Sequence, residues 1–160
     1  MSKSTEKFNL TDPIHFLALG FGSGLSPKAP GTMGTIAAIP VFLLMANFPT
    51  INYLAVLGVM SMFGIYICGK AASDAGVHDH GAIVWDEIVG YVITMILVPA
   101  TVTNVLVGFV LFRIFDIFKP WPISWLDKNC HGGIGIMADD ILAGVFACLS
   151  MHGLLALNIL

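Results

Sequence analysis

Charge is scarce in this chain. Only 11% of its 160 residues are Asp, Glu, Lys or Arg, and 57% are hydrophobic; the mean hydropathy is +0.89. A soluble domain carries about 25% charged residues, so the composition excludes an ordinary soluble protein. Basic residues are scarcest: 7 against 10 acidic ones, for a net charge of −3. That excludes a nucleic-acid partner, which needs a basic surface. Arg113 is the only arginine. The three cysteines, Cys68, Cys130 and Cys148, form no CxxC pair. They read as small buried hydrophobes in a reducing compartment rather than a disulfide framework. A cleavable signal peptide is not expected either: Glu6, Asp12 and Pro13 interrupt the approach to a short apolar stretch from Ile14 to Phe21, and no small-x-small site follows cleanly. That stretch reads as a retained interfacial segment.

Long apolar runs are what the chain has instead. They predict an all-α protein, a small multi-span helical membrane bundle formed as a single domain over 1–160, with about five spans and four as the alternative count. The runs extend from Gly34 to Phe48, Ile51 to Gly69, Ile83 or Ile88 to just before Pro99, Val105 to Phe118, and Ile141 to about Leu157. Several fall short of the roughly 20 residues that cross a 30 Å hydrocarbon layer. Alternating sides through five spans puts "ANFPTIN", "VPATVTN" and the tail from Ser150 on one side, with no charged residue in any of them. Every charge falls on the other side or just inside it. The positive-inside rule makes that side cytoplasmic, with the N-terminus in.

Four constellations share the charged side. "GSGLSPKAPGTMGT" (Gly22 to Thr35) leads into the first span, and its glycines, Thr32 and Lys28 suit an anion at a helix N-terminus; as a plain surface turn it needs no function. "HDHGAIVWDEIVG" (His78 to Gly90) holds Asp79, Asp86 and Glu87. Acids at a helix start complement its dipole, yet apolar residues flank these on both sides, which suggests a protein-lined polar pocket. "FRIFDIFKPWPISWLD" (Phe112 to Asp127) places Arg113, Asp116 and Lys119 along one helix face. That pattern fits an internal salt bridge, a cationic arm for phosphate beside a metal-holding Asp116, or both. "HGGIGIMADDILAG" (His131 to Gly144) sets Asp139 and Asp140 side by side at the head of the last run. About 100° apart on a helix, one can point into the bundle and the other along the interface or toward a shared ion.

Carboxylates with few histidines are hard-oxygen ligands, which favours Mg²⁺ or Mn²⁺ over zinc. With lysines, an arginine and a Gly-rich helix start, they suggest phosphoryl transfer at a membrane surface. Other phosphatase classes drop out. No cysteine has the arginine of a Cys-x5-Arg site, no DxD pair occurs, one arginine is too few for the membrane acid-phosphatase pattern, and the Asp-Gly start of the CDP-alcohol transferases is missing.

The stretches "GFGSGLSPKAPGTMGT", "GVHDHGAIVWDEIVG", "FRIFDIFKPWPISWLD" and "HGGIGIMADDILAG" resemble, in family order from Gly20 to Gly144, the phosphatidylglycerophosphatase A family. The resemblance implies a Mg²⁺-dependent lipid phosphatase of the bacterial inner membrane that converts phosphatidylglycerophosphate to phosphatidylglycerol. The expected site then holds Mg²⁺ through Asp79, Asp86, Glu87, Asp139 and Asp140, with Asp116 a further candidate. Arg113 and Lys119 bind the phosphate, Thr32 and Lys28 assist, and the nucleophile is a metal-activated water or, as the alternative, an aspartate. Two rival readings use the same acids: an ion or proton-coupled transporter, and a non-catalytic assembly subunit. A transport path needs polar groups on both faces, and the far side has no charge.

Overall fold

The computed structural model describes residues 8–76 and 80–160. Among these there are seven α-helices and no strand: α1 (Pro13–Ala18), α2 (Pro30–Met45), α3 (Thr50–Asp74), α4 (Trp85–Thr94), α5 (Val102–Phe118), α6 (Ile123–Asn129) and α7 (Gly132–Ala156). The all-helical expectation agrees with this.

Local chemistry sets the helix ends. The Asp12 side chain caps α1 by accepting from the Ile14 N–H at 2.8 Å, with Pro13 as the first helical residue. Pro30 is likewise the first residue of α2, without a side-chain cap. Thr101 caps α5 through the Asn104 N–H at 3.1 Å. α5 ends on Lys119, whose left-handed backbone (φ 42°) turns the chain out before Pro120. His15 on α1 reaches Asp74 at the end of α3 at 3.2 Å, and the Ala18 carbonyl accepts from the Val84 N–H at 2.9 Å. These two contacts fasten α1 beside the start of α4.

Two helices, α3 and α7, are long and apolar enough to cross a membrane. The expected count of about five is not reached by length. α2 has 16 residues and α5 has 17, while α4 has 10, about 15 Å at a helical rise of 1.5 Å per residue. A run bounded by charges and prolines overstates α4, because Thr94 is followed by a turn through Met95 to Leu97 rather than by more helix.

α4 survives as a short helix because the protein surrounds it. It packs against α2, α3, α5 and α7, and every residue from Ile88 to Thr94 is buried. Irregular backbone deep in a bundle must be satisfied by protein groups, and here it is. The Tyr53 hydroxyl donates to the Val92 carbonyl at 2.7 Å, His152 Nε2 donates to the Ile96 carbonyl at 2.9 Å, and the Asn104 amide donates to the Pro99 carbonyl at 2.9 Å. The outer helices turn apolar side chains outward instead, with Leu106, Val110 and Ile114 exposed at helical spacing on α5, and Ile51, Val59, Met62 and Tyr66 exposed on α3.

The last helix differs from expectation in its start. α7 begins at Gly132, not at Ile141, so Asp139 and Asp140 lie inside the helix rather than at its head. Reading a charge as the edge of a span fails here because the protein, not lipid, surrounds these carboxylates.

Candidate active site

Close backbone approach brings the acidic helices together. A Cβ at Gly144 of α7 would strike the Gly90 carbonyl of α4. A Cβ at Gly90 would meet the Phe112 ring at 2.5 Å and the Asp140 carbonyl at 2.8 Å. A Cβ at Gly133 would run into the Ile65 carbonyl of α3. With these three glycines α7 lies directly on α4 and α3, and its Asp140 side chain faces the first turn of α4.

There Asp86, Glu87 and Asp140 each offer one oxygen, all within 4.8 Å of one another. Asp140 is 3% exposed and Asp139 7%, while Asp86 and Glu87 are half-buried. Three converging carboxylates repel one another, and a cation among them would relieve that repulsion. A hard all-oxygen set suits Mg²⁺. Glu87 Oε2 is buried with no hydrogen-bond partner among the described residues, an acceptor still to be satisfied. The residues present fit such an ion.

Asp139 and Asp140, adjacent in sequence, have different partners. Asp139 Oδ2 accepts from Lys119 Nζ at 2.6 Å, and its Oδ1 is buried without a hydrogen-bond partner among the described residues. It therefore sits on the cationic side of the site, and Asp140 on the side of Asp86 and Glu87. Lys119 also donates to Asp127 Oδ1 of α6 at 2.5 Å. Burial opposes the Lys119 ammonium, but its hydrogen bonds to Asp127 and Asp139 outweigh that and hold it above the usual lysine range. Lys119 thus stays charged at any working pH.

Arg113 Nη1 donates to Asp116 Oδ2 one helical turn on and lies 4.0 Å from Glu87 Oε1. Its Nε is buried and without a partner among the described residues, so the guanidinium has a donor to spare. Asp116 joins the site as the partner of Arg113. Gly31, in the first turn of α2, lies against this pair: a Cβ there would strike Glu87 Oε1 and come within 3.0 Å of Arg113 Nη1. Thr32, the next residue, is half-buried in the same turn, and Lys28 is exposed with no ion pair among the described residues. Asp79 lies outside the described residues.

The structure therefore brings Asp86, Glu87, Asp140, Asp139, Asp116, Arg113 and Lys119 to one end of the bundle, with the first turn of α2 alongside. Sequence reasoning assigned no role to Asp127, although it closes the "KPWPISWLD" stretch and is one of few charges in the chain. An acid eight residues past Lys119 reaches back because the chain turns after α5 and α6 packs against α7. The part of Gly31 was hidden likewise, since a missing side chain shows its purpose only beside what it admits.

Residues 16–155 match the family described as phosphatidylglycerophosphatase A. The chain is 52% identical over 142 residues to the phosphatidylglycerophosphatase A of Escherichia coli (strain K12), covering 88% of this chain and 83% of that one. It is 42% identical to the protein of that name from Haemophilus influenzae, over 90% of both chains. A Bacteroides thetaiotaomicron protein provisionally named phosphatidylinositol-3-phosphatase is 40% identical over 82% of this chain and 86% of its own. No solved structure matches.

Proposed function

The chain belongs to the phosphatidylglycerophosphatase A family, and on that footing we propose that it hydrolyses phosphatidylglycerophosphate to phosphatidylglycerol and inorganic phosphate, with Mg²⁺, at the cytosolic face of a bacterial inner membrane. One observation carries the reading: three carboxylates from α4 and α7 converge within 4.8 Å of one another at the end of the bundle that also holds Arg113 and Lys119.

Asp86, Glu87 and Asp140 are the residues that would hold the ion. When bound, Mg²⁺ would polarise the phosphoryl oxygens and make a water more acidic. Arg113 has the planar fork suited to two phosphoryl oxygens, and Asp116 fixes the orientation of that fork. Lys119 offers a third positive group, held by Asp139 and Asp127. The N–H groups of the first turn of α2, near Gly31 and Thr32, would add donors to the bound anion. In the reaction a water oxygen bonds to phosphorus, the bond from phosphorus to the glycerol oxygen breaks, and that oxygen gains a proton. Asp139 Oδ1, buried and without a partner among the described residues, would hold a proton during the exchange. The lipid tails stay in the bilayer beside the apolar outer faces of α3 and α5.

The topology follows from charge. All charged side chains of the described residues lie on the side that the positive-inside rule makes cytosolic. An ion path would need open polar groups continued past Glu87, but α4 continues with buried Ile88, Val89, Val92 and Ile93, and its polar Tyr91 and Thr94 donate their hydroxyls to the Val105 and Gly90 carbonyls. Release of phosphate from phosphatidylglycerophosphate by the purified protein in detergent tests the reading. EDTA should abolish the release and Mg²⁺ restore it. Full activity in EDTA would refute the metal, and no release under any condition would refute the substrate.

A further inference from the structure

We propose that Asp127 is a built-in competitor for phosphate: its carboxylate occupies, on Lys119, the position that the phosphate of the substrate takes. The proposal rests on the phosphatase reading for the identity of that phosphate, though not for the competition itself.

Lys119 Nζ has three donors. One goes to Asp139 Oδ2 at 2.6 Å and one to Asp127 Oδ1 at 2.5 Å. An ammonium receives a carboxylate oxygen and a phosphoryl oxygen in the same way, through a charge-assisted hydrogen bond. The third donor is open, but two carboxylates already neutralise this cation and repel an arriving anion, so a phosphate gains most by replacing one of them. The two are not equally replaceable. The Asp139 side chain is 9% exposed, on a long helix pressed against α3, α4 and α5. Its other oxygen already has no partner among the described residues, so losing Lys119 would strand a buried charge. The Asp127 side chain is 39% exposed, on the seven-residue α6. Released from Lys119, it turns into water at little cost, as exposed charge pairs do.

The order of exchange follows. Asp139 keeps Lys119 in place, Asp127 gives way, and the phosphate takes the vacated donor. After hydrolysis the same carboxylate returns and helps expel inorganic phosphate. Asp127 is then a positioning residue that acts on affinity through Lys119, and it touches neither substrate nor metal.

The test uses the full chain in detergent micelles. Inorganic phosphate is titrated calorimetrically into wild type, D127N and D127E, and KM and kcat are measured on phosphatidylglycerophosphate. In D127N we expect inorganic phosphate to bind about two- to fivefold more tightly, the range an exposed charge pair supplies. KM should fall by a similar factor, and D127E should restore the wild-type values. On a K119M background, D127N should have no effect. Unchanged or weaker phosphate binding in D127N would overturn the proposal, because Asp127 would then only support Lys119. Tighter phosphate binding in a protein that does not hydrolyse the lipid would uphold the competition and remove the substrate assignment instead. A thermal melt of D127N that matches wild type separates these outcomes from loss of fold.

Discussion

Gly144 of α7 lies against the carbonyl of Gly90 in α4, with no room for a side-chain carbon between them. The contact fixes the distance between the two helices that carry Asp140 and Glu87. Because the obstructing atom is backbone, it cannot rotate away. Gly144→Ala should therefore destabilise the protein by about 1–3 kcal/mol, the usual cost of overpacking, and reduce activity together with stability. A thermal melt and a phosphate-release assay on one preparation check this; an unchanged melt would mean that α4 and α7 pack less tightly.

Gly31 makes the opposite case. The atoms a Cβ would meet there, Glu87 Oε1 and Arg113 Nη1, are the ends of flexible side chains. Gly31→Ala should keep its melting temperature within a few degrees while losing roughly tenfold or more in kcat/KM, since misplacing a binding group by about an ångström can cost on the order of 100-fold. Equal losses in stability and activity would contradict that division.

The paired aspartates should separate in a binding experiment. Asp140 shares a cluster with Asp86 and Glu87, whereas Asp139 bonds to Lys119. Mg²⁺ that binds only the folded protein raises its melting temperature. Asp140→Asn should abolish that rise, and Asp139→Asn should retain it while lowering kcat, through loss of the proton-holding carboxylate, and raising KM through a displaced Lys119. If both variants lose the rise, both residues ligate the ion.

At the far end of the bundle, Tyr53→Phe removes the donor to the Val92 carbonyl. A buried carbonyl left unsatisfied costs about 1–3 kcal/mol. The melting temperature should drop, while kcat of the folded protein stays near wild type, because Val92 lies on the far side of α4 from Glu87. A fall in kcat at full stability would show that the far end reaches the chemistry.

Much of the site was legible in the sequence because charge is so rare. Against an apolar background, Asp86, Glu87, Arg113, Asp116, Lys119, Asp139 and Asp140 could only gather at one end, and the structure gathers them there. The helices were legible as apolar runs for the same reason. What could not be read was which element the protein itself covers. Apolar runs look alike whether lipid or protein surrounds them, so α4 passed for a span and the start of α7 for a loop. Nor does sequence spacing show that α6, packed on α7, returns Asp127 to Lys119, or that Gly31 leaves room for Glu87 and Arg113.

The burial of α4 has a consequence for how the molecule can vary. The helix that carries Asp86 and Glu87 has its whole inner length covered by protein. In the proposed membrane setting, substitutions at the exposed Leu106, Val110, Val59 or Met62 would adjust the fit to lipids of different thickness or fluidity without reaching those carboxylates. The outer helices serve as a replaceable sleeve, and the chemistry rides on a protected axle.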